Sequence, residues 1–195
     1  FGDISTFSFY ANKQITTGEG GMISTNNPTL RDKCKSLRNL CFGKKNRFNH
    51  DDIGWNYRMT NIQASLGINQ LKRLNYTVKK KMYVGNYYYK KLHKNHHLKM
   101  MPPLSPFSKN IYWVVGILIR NKKILASKVI EKLREHGIGA RPFFWPMNEQ
   151  KIFKKLKIFN KTKYPNSYYL SRYGFYIPSF LEIKKSEMNY IAKTV

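Results

Sequence analysis

Lys13 is the residue whose type and surroundings point most directly to chemistry. It lies in a turn between a strand pattern rich in β-branched and aromatic residues and a second short strand pattern over residues 22–25. A lysine at the end of a buried strand is partly desolvated, which lowers its pKa and leaves a neutral amine able to attack a carbonyl carbon. Gly18, Gly20 and Gly21 allow the backbone to approach a ligand closely. The segment is therefore a candidate for covalent chemistry through an amine.

The same spacing also fits a plain strand–turn–strand unit with an exposed lysine, because glycine-rich turns are common. Spacing alone does not separate the two interpretations. A phosphate-binding P-loop is excluded, because no Gly-Lys-Ser/Thr sequence follows the glycines.

A second polar segment, with Asn56 and Arg58, precedes a helix that the sequence predicts to begin at Thr60 or Asn61. A carboxamide and a guanidinium suit the recognition of phosphate or carboxylate. The simpler alternatives are a loop hydrogen bond for Asn56 and a surface ion pair for Arg58. The apolar positions predicted to face a core are Ile62, Leu66, Leu71 and Leu74.

The formal net charge of +26 raises a rival hypothesis, a module that binds nucleic acid or another anionic surface. The basic residues are spread along the chain in pairs, mostly within amphipathic helical patterns where lysines form the solvated face. We therefore expect no specific nucleic-acid binding, and only a diffuse preference for anionic substrates. No run of 18 or more apolar residues is present, so we expect no membrane span.

Cys34 and Cys41 are predicted to lie two turns apart on one helix that ends before Gly43. That separation is too large for a mutual disulfide, and reduced thiols are typical of a cytoplasmic protein. Because the chain begins at Phe1 within a strand pattern, we also expect it to be a piece of a longer protein.

Two domains are predicted, residues 1–101 and 102–195, because a proline-rich linker follows a long helical pattern. Gly85 is a candidate break in that helix. The histidines at 93, 96 and 97 lack cysteine or carboxylate partners at ligand spacing, so we predict no metal site.

The second predicted domain has a strand–helix–strand pattern, which is typical of a small α/β domain. A strand over 111–120, buried on both faces, is followed by a helix over 127–136 that stops at Gly137, and by a strand over 138–144. A surface excursion over 151–163, a short helix after Tyr164-Pro165 and a helix over 182–195 complete it. Arg141 is the cation there that could face a substrate, although an ordinary strand-end salt bridge fits as well.

The string FSFYANKQITTGEGGMI closely resembles the lysine segment of the pyridoxal-phosphate-dependent nucleotide-sugar aminotransferases, the DegT/DnrJ/EryC1/StrS family. Three later segments, 52–67, 136–147 and 176–180, resemble the same family in the same order. Two departures are Ala11, where the family usually has glycine, and Asn148, where it commonly has histidine. Lysine at position 13 also distinguishes the chain from related dehydratases, which carry histidine there.

The resemblance implies a role for several residues. Lys13 would bind pyridoxal phosphate covalently, Ser8 would bind the cofactor phosphate, and Asn56 would reach across a homodimer interface to the cofactor phosphate of the other subunit. Arg58 and Arg141 are tentative substrate residues for which the resemblance fixes no role.

The resemblance further implies an α/β, aspartate-aminotransferase-like fold of type I, of which this chain is the C-terminal part of the large domain plus the small domain. The expected reaction transfers nitrogen from L-glutamate to a 4-keto-6-deoxy nucleotide sugar. GDP-4-keto-6-deoxymannose is the first choice of acceptor, and a UDP- or dTDP-linked sugar the second. The acid that faces the pyridine nitrogen and the group that stacks on the ring would lie upstream, so the alternatives also include an inactive truncated protein.

Overall fold

The computed structural model describes residues 2–43, 45–159 and 163–195. The chain divides into two compact units, Phe1–Tyr76 and Thr77–Val195. The first unit contains β1 (Ser5–Ser8), β2 (Gly21–Ser24), α1 (Pro28–Leu37) and α2 (Asn61–Lys72), and α3 (Leu74–Leu92) leads into the second. The second unit continues with β3 (Leu98–Met100), β4 (Leu104–Ser105), β5 (Ser108–Lys109), β6 (Val115–Ile119), α4 (Ala126–Glu135), β7 (Arg141–Pro142), a 3₁₀ turn (Met147–Glu149), α5 (Lys151–Lys155), α6 (Pro165–Tyr173), β8 (Gly174–Ile177) and α7 (Lys185–Thr194).

The first unit begins with an antiparallel hairpin in which β1 pairs with β2, with Ser8 opposite Gly21. The start of α1 is as the sequence predicts. Pro28 occupies its first turn, and the side chain of Asn27 accepts hydrogen bonds from the backbone N–H groups of Thr29 and Leu30, at 2.9 and 3.3 Å.

The predicted helix containing both cysteines is wrong, because α1 ends at Leu37. Leu40 and Cys41 have positive φ angles of 63° and 48°, so the chain has left the helix there. The backbone N–H of Cys41 donates back to the carbonyl of Ser36 at 2.9 Å, and the side chain is almost fully buried. Both cysteines are nevertheless free thiols, as predicted.

The start of α2 is also confirmed, because Thr60 and Gln63 form a capping box. The prediction that its apolar residues face a core is wrong: Ile62, Leu66 and Leu71 are 77%, 51% and 58% exposed, and α2 buries no residue. Ile62 and Leu71 are nine residues apart and so lie on opposite sides of the helix, which means that its apolar residues do not form one face. The described part of the chain also places no apolar layer over Ile62 and Leu66.

The second unit is built on a four-stranded antiparallel sheet in the order β3-β6-β8-β7. Its core joins side chains from the sheet and from α3, α4 and α7: Val84, Tyr88, Leu92, Leu98, Val115, Ile117, Leu133, Phe175, Ile177, Met188 and Ile191 among others. The predicted strand over 111–120 is shorter, and it is not buried equally on both faces. Alternate residues of β6 are buried and half-buried, since one face of the sheet packs on the core.

Gly85 does not break α3, which continues without interruption to Leu92. A Cβ atom at Gly85 would lie 2.2 Å from the ring of Tyr112, so glycine is present because the ring packs against the helix backbone. One turn later the hydroxyl of Tyr88 donates to the carbonyl of Pro178 at 3.1 Å. α3 contributes its buried side chains to the core of the second unit. The division into domains at residues 101 and 102 stays a prediction.

The remaining elements follow their local signals with shorter bounds. α4 is followed by Gly137 at φ 72°, which confirms the predicted terminating glycine. β7 is much shorter than the predicted strand over 138–144, and α6 begins at Pro165 as predicted. The predicted excursion over 151–163 contains α5, and its residues 160–162 lie outside the described residues. No helix within the described residues is long and apolar enough to cross a membrane.

Candidate active site

Lys13 lies in a tight turn directly after β1. Its backbone N–H donates to the carbonyl of Tyr10 at 3.0 Å, and the residue is half-buried. The strand before it is not buried as the sequence argument assumes, because Thr6, Phe7 and Ser8 are all exposed in the described chain. Lys13 is therefore half-buried although the strand before it is exposed.

That loop, residues 9–20, is closed by hydrogen bonds to Phe9. The carbonyl of Phe9 accepts from the backbone N–H of Thr17 at 3.0 Å and from the hydroxyl of Thr16 at 3.2 Å. The N–H of Phe9 donates to the carbonyl of Gly20 at 2.9 Å. These hydrogen bonds hold the two ends of the loop together, and the turn that carries Lys13 lies between them.

The glycines of this loop are required by its own geometry. Gly18 and Gly20 have φ angles of 79° and 144°, which favour glycine. A Cβ atom at Gly20 would lie 2.7 Å from the hydroxyl oxygen of Thr17, and one at Gly21 would lie 2.9 Å from the carbonyl oxygen of Phe7. In the described chain these glycines therefore allow close contacts within the hairpin and its loop, between Gly20 and Thr17 and between Gly21 and Phe7.

Ser8 ends β1 and stands at the entrance to the same loop. Its hydroxyl oxygen accepts from the backbone N–H of Tyr10 at 3.4 Å, and the side chain is exposed. Because Tyr10 also accepts the hydrogen bond from the N–H of Lys13, one short turn positions both residues. Ser8 retains its own O–H donor for a ligand.

Asn56 and Arg58 lie on an extended segment that crosses the end of α1. Asn56 forms an antiparallel bridge with Asn39, and both Asn56 and Arg58 are exposed. The guanidinium of Arg58 donates to the side-chain carbonyl oxygen of Asn39 at 2.6 Å. Arg58 is therefore held by a neutral carboxamide, and among the described residues it does not form the surface ion pair considered as an alternative.

Gln63 connects this second segment to the Lys13 loop, which sequence reasoning did not predict. Its side-chain N–H donates to the carbonyl of Glu19 at 3.1 Å, while its side-chain oxygen accepts from the backbone N–H of Thr60. A Cβ atom at Gly67, one turn along α2, would lie 3.0 Å from Thr17. The Thr-x-x-Gln pattern indicates the cap, but the contact with the loop depends on the fold.

Gln14, the residue after Lys13, is a further polar group that the sequence argument did not single out. Its side-chain nitrogen is buried and has no hydrogen-bond partner among the described residues. A buried N–H donor without an acceptor is costly, so such groups are commonly satisfied by a ligand or by another chain. The donor lies one residue from the predicted reactive amine.

Arg141 belongs to the second unit, where it is exposed on β7 opposite Tyr176. The structure thus brings Ser8 and Lys13 together and joins the α2 segment to their loop, whereas Arg141 is described only within its own unit. The histidines at 93, 96 and 97 are exposed, and the described residues contain no cluster of three or more metal-ligating side chains.

The whole chain, residues 1–195, matches the model of the DegT/DnrJ/EryC1/StrS aminotransferase family. GDP-perosamine synthase of Escherichia coli O157:H7 is 34% identical over 202 residues, which cover 100% of this chain and 51% of that protein. UDP-4-amino-4,6-dideoxy-N-acetyl-beta-L-altrosamine transaminase of Campylobacter jejuni is 30% identical and is covered to the same 51%. The chain therefore spans about half the length of these curated relatives.

Among solved structures, Helicobacter pylori PseC, an aminotransferase involved in the biosynthesis of pseudoaminic acid, aligns with a TM-score of 0.87 at 28% identity. The alignment covers 100% of this chain and 52% of PseC. The chain accordingly has the mixed α/β architecture of part of a fold type I transferase. On this family match and these identities, it belongs to the DegT/DnrJ/EryC1/StrS aminotransferase family.

Proposed function

We propose that the full-length protein is a pyridoxal-phosphate-dependent aminotransferase that acts on a nucleotide sugar. The observation that carries the proposal is the placement of Lys13 on a short turn over a hydrogen-bonded loop, in a chain that belongs to this family. Because hydrogen bonds hold the ends of this loop together, they restrict the positions that the lysine amine can take, as a covalent link to a cofactor requires.

The groups around the loop fit a cofactor that carries an aldehyde and a phosphate. Lys13 supplies a primary amine, the exposed hydroxyl of Ser8 supplies a donor for a phosphate oxygen, and the buried side-chain N–H of Gln14 has no acceptor within the described part of the chain. When bound, pyridoxal phosphate supplies the electron sink for transamination. The Nζ atom of Lys13 would hold the cofactor and then move a proton to and from the carbon that carries the transferred nitrogen.

Asn56 would donate from its carboxamide to the cofactor phosphate bound by the partner protomer, which makes the active form a homodimer. Its exposed position on an extended segment supports this role, since the side chain is accessible to a second protomer. Arg58 and Arg141 would contact anionic groups of the substrate, and Arg141 is the more available, because Arg58 already donates to Asn39.

The proposed reaction takes nitrogen from L-glutamate and delivers it to a 4-keto-6-deoxy nucleotide sugar in the cytoplasm. GDP-4-keto-6-deoxymannose is the first acceptor to test, because a relative at 34% identity is a GDP-perosamine synthase. A UDP-linked 4-keto sugar is the second, because a 30% identical relative is a UDP-sugar transaminase. The free thiols are consistent with a reducing compartment.

The direct test is visible absorption of the full-length protein with pyridoxal phosphate, followed by borohydride reduction and peptide mapping. We expect one reduced adduct, on Lys13, which is absent in Lys13→Ala and retained in Lys35→Ala. Lys35 is a suitable control because it is an exposed lysine of the same unit, on α1. A folded full-length protein with no adduct on Lys13 would contradict the proposal.

The dimer is tested by mixing two inactive variants, Lys13→Ala and Asn56→Ala. If Asn56 serves the partner's site, each mixed dimer has one intact site, and random mixing restores about a quarter of the wild-type activity. If Asn56 serves its own protomer, no mixed dimer has an intact site and no activity returns.

Parallel assays with GDP- and UDP-linked acceptors and L-glutamate identify the substrate.

A further inference from the structure

One side of α3 carries a strip of lysines and tyrosines. The helix packs its buried side chains, among them Val84 and Tyr88, against the core of the second unit. Because successive residues of a helix are rotated by about 100°, six residues away from this buried side fall within one arc of about 120° and span about 18 Å of the helix axis. These residues, which we call the α3 strip, are Lys79, Lys80, Tyr83, Tyr87, Lys90 and Lys91.

The positive charge of the α3 strip is not compensated by neighbouring carboxylates. The sequence contains no aspartate or glutamate between Asp52 and Glu131, and the described residues contain no salt bridge to a lysine of the strip. The solvated face of α4 is different, because Lys128 pairs with Glu131 and Lys132 pairs with Glu135, each at 3.0 Å. Like charges on one helix face repel each other. The α3 strip therefore attracts an anion in a way that the charge-paired face of α4 does not.

Two tyrosine rings lie among these lysines. The ring centres of Tyr83 and Tyr87 are 6.4 Å apart, and the ammonium group of Lys91 lies 5.9 Å from the ring centre of Tyr87. The hydroxyl of Tyr87 donates to the side-chain oxygen of Asn189 on α7, which holds this ring in place. Tyr83 is 49% exposed. An accessible aromatic ring thus stands beside a fixed one, with cations on both sides along the helix.

This combination of cations and an exposed ring matches the chemistry of a single-stranded nucleic acid. The phosphates of such a strand follow one another along a groove or strip of lysines, and its unpaired bases can stack on a tyrosine ring. A polyanion without bases would use the lysines and leave the ring without a role. We propose that the α3 strip binds single-stranded nucleic acid without sequence preference, because lysines contact phosphates and a ring stacks on any base. The inference goes beyond the proposed function, since it needs neither Lys13 nor a cofactor.

The test measures binding of a fluorescent oligothymidylate to the full-length protein by anisotropy, over a series of salt concentrations. A length of about 20 nucleotides is sufficient, because single-strand-binding domains cover about 4–16 nucleotides. We expect saturable binding that weakens steadily as the salt concentration rises. Absence of saturable binding to the folded protein would overturn the proposal.

A triple variant, Lys79→Ala with Lys90→Ala and Lys91→Ala, tests the lysines of the strip. All three side chains are exposed, so their loss should leave the fold intact. For a single strand, each phosphate contact contributes about 0.7 to the slope of log affinity against log salt concentration. Loss of all three contacts should therefore reduce that slope by about 2.

The matched control removes the same charge from α5, as Lys151→Ala with Lys154→Ala and Lys155→Ala. These lysines are also exposed, and they lie on a different helix of the same unit. The control should leave the salt slope nearly unchanged. If both triple variants reduce the slope equally, binding depends on net charge alone and the proposal is wrong.

Tyr83 tests whether bases are recognised. Tyr83→Leu should weaken oligothymidylate binding at least about fivefold, because it removes stacking, and should leave binding of heparin unchanged, since heparin is a polyanion without bases. Tyr83→Phe keeps the ring and should retain the parent affinity. If Tyr83→Leu has no effect on oligothymidylate, or weakens heparin binding equally, the strip is a general polyanion surface and the proposal fails.

Three further measurements separate this proposal from the aminotransferase function. Lys13→Ala should leave oligothymidylate binding unchanged even though it abolishes the covalent adduct. The triple lysine variant of α3 should retain the adduct. An excess of GDP-mannose should not displace the oligothymidylate, and displacement would place its binding at the substrate site and overturn the proposal. The two functions can therefore fail independently.

Discussion

Gly85→Ala should destabilise the protein, although alanine is the better helix former. In an exposed helix interior the change would add about 1 kcal/mol of stability. Here the new Cβ atom would lie 2.2 Å from a ring carbon of Tyr112, whereas non-bonded carbon atoms ordinarily lie about 3.5–4.0 Å apart. The sign of the effect therefore depends on whether the ring can move.

The structure indicates that the ring cannot move cheaply. Tyr112 is only 3% exposed, and its backbone is held at a φ of 51° by a hydrogen bond from its N–H to the side chain of Asn110 at 2.9 Å. Overpacking of this kind costs about 1–3 kcal/mol. Since the contact is against a fixed helix backbone, we expect the upper part of that range, which exceeds the propensity gain.

The assay is urea unfolding followed by tryptophan fluorescence and far-ultraviolet circular dichroism. Gly139→Ala is the control, because nothing lies within 4 Å of the Cβ position there, and it should change the free energy of unfolding by less than about 0.5 kcal/mol. Tyr112→Ala alone should cost about 3–5 kcal/mol. In that background Gly85→Ala should become neutral or stabilising. The reasoning is refuted if Gly85→Ala stabilises the parent protein, or costs as much without the ring as with it.

Two further predictions concern a buried lysine and a helix cap. Desolvation lowers the pKa of Lys81 in the folded protein to about 8. Between pH 8 and the usual lysine pKa of about 10.4, the unfolded chain therefore binds more protons than the folded chain, and stability should rise with pH. The rise in the free energy of unfolding should be at most about 3 kcal/mol, because partial solvation of the side chain reduces it. Unfolding curves from pH 7 to 10.5 measure the rise, and Lys81→Met should abolish it. An unchanged rise in Lys81→Met would show that Lys81 is not its source. Thr60→Ala removes the cap of α2 and should lower the free energy of unfolding by about 1 kcal/mol. Ser65→Ala, at an exposed position of the same helix, should have little effect. If both changes lower the free energy of unfolding equally, the loss is not specific to the cap.

Lys81 also shows how the fold makes use of a costly group. Its ammonium donates to the carbonyl of Ser179 at 2.6 Å and to its hydroxyl at 3.2 Å. These contacts join α3 to the chain after β8, but neither supplies a negative charge to offset desolvation. For this reason the pKa of Lys81 falls rather than rises on folding.

The start and stop signals of helices were predictable because they are local. Asn27, Thr60 and Gly137 act within one or two turns of their own position, through hydrogen bonds and backbone angles that depend little on the rest of the fold. The turn that carries Lys13 and its glycine-rich continuation were predictable for the same reason. The sequence pattern around that lysine was also sufficient to identify the family.

Burial was not predictable in this way, because it depends on which segments meet. The apolar residues of α2 suggest contact with a core, yet only tertiary structure shows that Ile62 and Leu66 are uncovered in the described chain. Cys41 lies outside the helix predicted for it, and Gly54, from a distant segment, approaches it so closely that a Cβ atom there would be 2.6 Å from the backbone N of Cys41. Gly85 reads as a helix break in isolation, but the fold places a tyrosine ring against it.

The candidate sites divide along the same line. Lys13 was predicted from its own segment, and Ser8 from the resemblance of that segment to the family. The bond from Gln63 to the carbonyl of Glu19 was not predicted, because 44 residues separate its two ends. A cavity in the second unit is less local still, since its lining residues come from the turn after β6, the 3₁₀ turn and α6. The sequence determined the chemistry available at each short segment, and the tertiary structure decided which segments lie together, because contacts between distant residues are set by packing and not by local conformational preference.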